Sequence, residues 1–257
     1  MNTAAAVSAS TVASSTRRVA FVTGSSGGIG AAIAERLVAD GFAVAVHYAS
    51  RPERATALRD RLSGEEGAAV IAVGGDVADE TAMAAAFDEV ESAFGGIDVV
   101  INAAGIMLLS PVIELDLAEF DRMQRTNVRG TFVIAQLAAR RLRAGGALIT
   151  VSTSQTRLQH PTYAAYAAGK ASVETLTPVL ARELRGRDIT VNTIAPGPTA
   201  TPLFLDGKDE ATIDRLAHLA PLERLGAPDD IAEVAAFLAG PGRWVNGQVV
   251  FANGGIA

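Results

Sequence analysis

The 257-residue chain has no cysteine, one tryptophan, three histidines and, beside 20 arginines, only two lysines, Lys170 and Lys208. Without cysteine there is no disulfide, no thiolate nucleophile and no cysteine-ligated metal. His47, His160 and His218 stand too far apart for ligand-like spacing, so no metal site is expected. No apolar run approaches the roughly 18 residues that span a bilayer. A formal charge of −6 argues against nucleic acid or an anionic membrane as partner. Residues 1–16 carry no charged side chain and lack the basic start and continuous apolar stretch of a secretory signal. They read as a disordered tail ahead of a domain over 17–257, and a cytoplasmic location is expected.

Scarcity makes Lys170 informative. A chain that uses arginine for nearly every positive charge keeps a lysine where a compact, rotatable ammonium is needed. Lys170 closes the run Tyr166-Ala167-Ala168-Gly169-Lys170, and four residues on a helix place phenol and ammonium on one face. The charge favours the phenolate and is expected to lower a pKa that starts near 10. Bringing the phenol near neutrality takes about 4 kcal/mol of differential stabilisation, which the ammonium, a bound cofactor charge and partial burial could share.

Glycine is plentiful where it matters. The apolar run Arg18 to Thr23 enters Gly24-Ser25-Ser26-Gly27-Gly28-Ile29-Gly30 and then a helical pattern of Ile33, Leu37 and Val38. A strand, a glycine turn and a helix form the setting in which such a turn cradles a dinucleotide pyrophosphate against a helix N-terminus. Other polar clusters follow predicted strands: Asp76-Val77, Asn102-Ala103-Ala104-Gly105, Ser152-Thr153-Ser154 and Pro196-Gly197. In an open parallel sheet, ligands bind at those carboxyl ends. Strands are expected near 18–23, 43–47, 69–73, 97–101, 147–152, 189–194 and 248–251, alternating with helical stretches. The pattern predicts a single α/β domain: a Rossmann-type, doubly wound fold with a seven-stranded parallel sheet and helices on both faces.

Taken in order, these motifs, with Asn127 and the tail Asn246-Gly247-Gln248-Val249-Val250, resemble the short-chain dehydrogenase/reductase family in its 3-oxoacyl-reductase-like branch, from about Arg17 onward. The resemblance implies hydride transfer between a nicotinamide and a carbonyl or alcohol carbon. Tyr166 would exchange the proton of the substrate oxygen, Lys170 would hold the nicotinamide ribose, and Asn127 would anchor a relay water. The family's serine thirteen residues before the tyrosine is Thr153 here. If the strand continues, Ser152 and Ser154 point to the opposite face, so Thr153 takes the role, with Ser154 in reserve should the strand turn early. Ala103 stands where a second asparagine is common. Cofactor contacts are expected from Gly24, Ser25, Ser26, Gly28, Ile29, Gly30, Asp76, Val77, Asn102, Ala103, Ala104, Gly105, Pro196, Gly197, Thr199 and Thr201.

Cofactor choice rests on Tyr48-Ala49-Ser50-Arg51. Tyr48 falls where the family's NAD enzymes carry aspartate. Ser50 and Arg51 could bind a 2′-phosphate, which favours NADP(H) over NAD(H); the bland alternative is a solvated helix start. Leu158, Tyr163, Leu203 and Phe204, with Thr153 and Ser154, are expected to form the substrate pocket, joined by Met107, Leu108 and Leu109 beneath a mobile lid. Arg140, Arg141 and Arg143 read as a helix end whose cations offset the dipole, in preference to a dock for an acidic acyl-carrier protein. Pro178 should kink the catalytic helix or weaken it early. The reading is a ketone reductase acting on a small-molecule substrate and assembled as a homotetramer through helices near 118–143 and 163–184 and the C-terminal strand region. An alcohol dehydrogenase working oxidatively, or a cofactor-binding regulator without catalysis, are the alternatives.

Overall fold

A computed structural model describes residues 17–257; the expected tail, residues 1–16, lies outside the described residues. In chain order the elements are β1 (Val19–Thr23), α1 (Gly28–Ala39), β2 (Ala43–Tyr48), α2 (Pro52–Ser63), β3 (Ala69–Gly74), α3 (Glu80–Phe94) and β4 (Ile97–Asn102). Then come α4 (Leu117–Gln124), a π-helical turn (Arg125–Arg129), α5 (Gly130–Arg141), β5 (Leu142–Val151), α6 (Gln155–Leu158) and α7 (Ala164–Glu183). β6 (Thr190–Pro196), α8 (Pro202–Leu205), α9 (Glu210–Ala217), α10 (Pro228–Ala239) and β7 (Val249–Ala252) complete the fold.

The seven strands form one parallel sheet in the order β3-β2-β1-β4-β5-β6-β7. Side chains alternate along each strand. Val22, Val44 and Ile101 pack under α1, α2 and α10, whereas Phe21, Ala45 and Val100 pack under α3, α5 and α7. Both faces are covered, which is why the strands read as continuous apolar runs. The order reverses between β1 and β4, whose carboxyl ends lie side by side with Thr23 opposite Asn102. A crevice must open there.

Six of the seven strands fall within two residues of expectation at either end, and β5 departs. It begins at Leu142, because its register against β4 shifts between Ile97 and Val99, and Gly145 at φ +81 supplies the left-handed backbone. The three arginines therefore do not share a helix end. Only Arg140 and Arg141 close α5, while Arg143 lies in β5 with its Nη2 3.0 Å from Asp98 Oδ2. Arg141 pairs with Asp88 and Glu91 of α3. Helix α7 carries Pro178 inside it and continues to Glu183.

Candidate active site

The turn after β1 is built by contact. A Cβ on Gly24, at φ +66, would lie 2.7 Å from Ala104 Cα, and one on Gly30 would lie 2.5 Å from the Gly24 carbonyl oxygen. Glycine is thus required for β1, β4 and α1 to meet. Above Gly27 the space is open, and the α1 N-terminus has neither a side-chain cap nor an acidic residue in its first turn. Those uncapped amides and their dipole suit a pyrophosphate, so the residues present fit a dinucleotide. Thr201 lies beside Gly28, placing the loop after β6 against this turn.

Some expected cofactor residues are turned inward. Ser25 is fully buried; its Oγ donates to the Val22 carbonyl and accepts from the His47 amide, so it faces the core. Asn102 accepts from Thr23 Oγ1 at 2.7 Å and donates to Thr131 Oγ1 at 2.9 Å, and Thr131 donates in turn to the Asn127 carbonyl. A buried hydrogen-bonded line therefore joins β1 to the π-helical turn. Asp76 is engaged by Arg125 and the Ala78 amide. Val77 packs against Gly130, where a Cβ would be 2.7 Å from its Cγ2. The Thr199 hydroxyl donates to Gly197, and Thr201 Oγ1 caps α8. Gly197 fits tightly against Asn253. The side chains of Ser25, Asn102 and Thr199 thus shape the crevice rather than reach into it.

The role of His47 was not legible in the sequence. Its Nδ1 accepts from the Gly24 amide at 3.3 Å, so Nε2 carries the proton and donates to the Gly75 carbonyl at 2.9 Å. Burial pushes its pKa down to about 4, and the ring is a neutral strut between the glycine turn and the end of β3. Only its place at the end of an apolar strand could have marked it.

Tyr166, Lys170 and Asn127 come together. Gly105 sits between the last two: a Cβ there would lie 3.2 Å from Asn127 Oδ1 and 3.3 Å from Lys170 Nζ. The Asn127 amide is clamped to Ile106, accepting from its N–H at 2.9 Å and donating to its carbonyl at 2.8 Å. A π-helical turn carries this asparagine, a distortion common at functional sites. Lys170 is buried; its Nζ donates to the Val151 carbonyl at 2.7 Å and lies 6.0 Å from the centre of the Tyr166 ring. Burial pushes its pKa down to about 8. The expected fall of the phenol pKa is not seen: burial, aided by Tyr163, pushes Tyr166 up to about 12. The Thr153 hydroxyl opposes that rise.

The three neighbouring hydroxyls differ in what they touch. β5 is assigned as far as Val151, but the Ser152 and Ser154 amides still bond to the Ile194 and Pro196 carbonyls, so the extended backbone continues past Thr153. The buried Ser154 Oγ accepts from Asn253 Nδ2 at 3.1 Å and is directed at the Ala195 carbonyl. Ser152 Oγ bonds to Glu174. The Thr153 Oγ1 accepts from the Gln155 amide at 3.3 Å, and of the three hydroxyls it is the one that tempers the rise of the Tyr166 pKa.

Of the six expected pocket residues, Thr153 and Tyr163 stand beside the phenol. Met107, Leu108 and Tyr163 pack with Tyr166 over Met123. Tyr163 also borders a cavity of about 650 Å³ with Val112, Thr156 and His160, to which Leu158, Leu203 and Phe204 do not contribute. Leu203 and Phe204 sit on the short α8, where Lys208 Nζ donates to the Phe204 carbonyl at 2.5 Å and lies over its ring. The second lysine thus fastens the segment expected to be the lid.

At the cofactor-selecting corner, Arg51 stands at the N-cap of α2, exposed and with no ion-pair partner among the described residues. Ala49 and Ser50 are exposed beside it, and the Tyr48 ring lies over Gly74, whose added Cβ would be 2.8 Å from it.

A single open α/β sheet with a glycine turn and a Tyr/Lys pair at its reversal point defines a nucleotide-dependent oxidoreductase architecture. Residues 24–257 match the family described as enoyl-(acyl carrier protein) reductase. The chain is 40% identical over 248 residues to a short-chain type dehydrogenase/reductase of Picea abies, covering 93% of this chain and 92% of that protein. It is 39% identical over 253 residues to an NADPH-dependent aldehyde reductase-like protein, chloroplastic, of Arabidopsis thaliana, covering 93% of each. A crystal structure of a short chain dehydrogenase from Burkholderia cenocepacia in complex with NADP superposes with a TM-score of 0.87 at 39% identity, over 93% of this chain and 97% of that one. The chain belongs to the short-chain dehydrogenase/reductase family.

Proposed function

We propose that this protein is an NADP(H)-dependent oxidoreductase that reduces the carbonyl of a small aldehyde or ketone to an alcohol. The observation that carries this reading is the convergence of Tyr166, Lys170 and Thr153 at the reversal point of the sheet, beside a helix N-terminus with its amides uncapped. Similarity to an NADPH-dependent aldehyde reductase-like protein and to a dehydrogenase solved with NADP supports the cofactor and the direction.

When bound, the nicotinamide supplies the hydride. Gly24, Gly28, Ile29 and Gly30 would receive the pyrophosphate, and Ser50 and Arg51 the 2′-phosphate. Thr153 Oγ1 donates a hydrogen bond to the substrate oxygen, stabilising the charge that grows there as the carbonyl is reduced. Tyr166 gives that oxygen its proton. A phenol pushed up to about 12 holds its proton at neutral pH, which suits donation. The Lys170 ammonium would hold the ribose hydroxyls of the bound cofactor, and its charge steadies the phenolate left behind. Asn127, held by Ile106, would anchor the water through which the phenolate is reprotonated.

The same reading includes a homotetramer. Its support is a set of apolar side chains left in solvent: Ile113 and Leu117 before and on α4, Phe132 on α5, Val179 on α7, and Trp244, fully exposed near β7. Large apolar side chains on these elements would be covered if the helices and the C-terminal strand region pair between subunits.

The test is NADPH consumption by purified protein with aldehydes, ketones, 3-oxoacyl thioesters and sugars. Turnover with at least one carbonyl class, and a preference for NADPH over NADH, is expected. Cofactor binding with no turnover across the panel contradicts the reading and leaves a binding protein.

A further inference from the structure

Glu174 lies one helical turn beyond Lys170, so Tyr166, Lys170 and Glu174 follow one another at intervals of four along α7. Its carboxylate is half-buried and makes no ion pair among the described residues. Instead Oε1 accepts two hydroxyls, Ser152 Oγ at 2.6 Å and Thr156 Oγ1 at 2.9 Å. These two residues flank Thr153. Thr156 Oγ1 also lies 3.0 Å from the Thr153 carbonyl, and the Ser152 and Ser154 amides continue the ladder to β6 through the carbonyls of Ile194 and Pro196.

The segment bearing Thr153 is therefore fastened on one side to β6 by its backbone. On the other side it is fastened by one carboxylate to the helix bearing Tyr166 and Lys170. Distance between a substrate-facing hydroxyl and a proton-donating phenol is what the proposed chemistry is most sensitive to, since a misplacement of about 1 Å can cost on the order of 10²-fold in rate. From this geometry we infer that Glu174 is a positioning residue: its carboxylate, through Ser152 and Thr156, sets Thr153 in register with Tyr166. A negative charge is the stronger acceptor for two hydroxyls at once, and an alanine would leave the buried Ser152 hydroxyl with only the Lys170 carbonyl at 3.4 Å.

The inference rests on the proposed role of Thr153, and a double-mutant cycle separates the two. Steady-state kinetics with the best carbonyl substrate are measured for wild type, Thr153→Val, Glu174→Ala, Glu174→Gln and the Thr153→Val/Glu174→Ala double variant, with thermal unfolding of each. Thr153→Val is expected to lower kcat by roughly 10² to 10³ with KM for NADPH nearly unchanged, by analogy with loss of an oxyanion donor. Glu174→Ala should lower kcat about 10-fold with KM for NADPH unchanged. Glu174→Gln, which keeps a carbonyl oxygen as acceptor, should recover most of that loss. In the Thr153→Val background, Glu174→Ala should change kcat less than twofold. An undiminished loss in that background means that Glu174 acts on Tyr166, Lys170 or the fold at large, and overturns the inference. A full effect of Thr153→Val with none from Glu174→Ala overturns it too. Full activity of Thr153→Val would instead remove the role proposed for Thr153 and, with it, the basis of the inference.

Discussion

His47 is neutral first because it is buried, and a second proton would also set its Nδ1–H against the Gly24 N–H. Its unfolded counterpart takes a proton near pH 6.5, whereas the folded ring waits until about 4. Between those values the unfolded chain binds more protons, so stability falls as pH falls. From pH 6.5 to 5 the loss attributable to His47 is about 1.5 kcal/mol. Urea unfolding of wild type and His47→Asn across that window measures it: the difference between them should shrink by about that amount at the lower pH, and a constant difference would contradict the assignment. The same scale shows what residue types alone could not tell. Tyr166 beside Lys170 suggested a lowered phenol pKa, but the direction is set by burial from Met107, Leu108 and Tyr163, which no local spacing reveals. Ser25 and Asn102 were legible as residues near the cofactor turn. That their polar atoms are satisfied inward depends on His47, Thr23 and Thr131, brought in by folding.

At the level of elements the sequence was more transparent. Strands buried on both faces leave apolar runs, and the glycine turn and the Tyr/Lys spacing mark the two helices that matter, so β1, α1 and α7 were readable directly. β5 was not, because its start depends on a register shift against β4 that only pairing creates. The π-helical turn holding Asn127 was equally hidden, since its residues suit an ordinary helix. The junction of β2 and α2 carries the cofactor prediction. Arg51 there is exposed and has no ion-pair partner among the described residues, and in the proposed function it adds a charge-assisted hydrogen bond to a 2′-phosphate. Such a bond contributes about 1.5–3 kcal/mol. Arg51→Asp should therefore cut kcat/KM for NADPH by roughly 10- to 100-fold or more while affecting NADH far less. Equal losses for both cofactors would remove the phosphate role and leave Arg51 as part of a solvated helix start.

Across the whole molecule, one reversal of strand order organises everything else. It opens the crevice between β1 and β4, and the loops that follow β1, β4, β5 and β6 meet around it, with Thr201 reaching Gly28 and Asn253 reaching Ser154. Assembly belongs to this scale. With Ile113, Leu117, Phe132 and Trp244 in solvent, light scattering is expected to give about four times the mass of one chain, and a stable, fully active monomer would exclude the tetramer. The central claim is that this crevice performs carbonyl reduction with Tyr166 as proton donor. Tyr166→Phe removes one buried hydroxyl and keeps the ring that packs on Met123. The most direct measurement is single-turnover NADPH oxidation by this variant and by wild type, with the same carbonyl substrate and with NADPH binding followed in parallel. The predicted result is a rate lower by about 10² to 10⁴ with NADPH affinity retained; a variant that oxidises NADPH at the wild-type rate would contradict it.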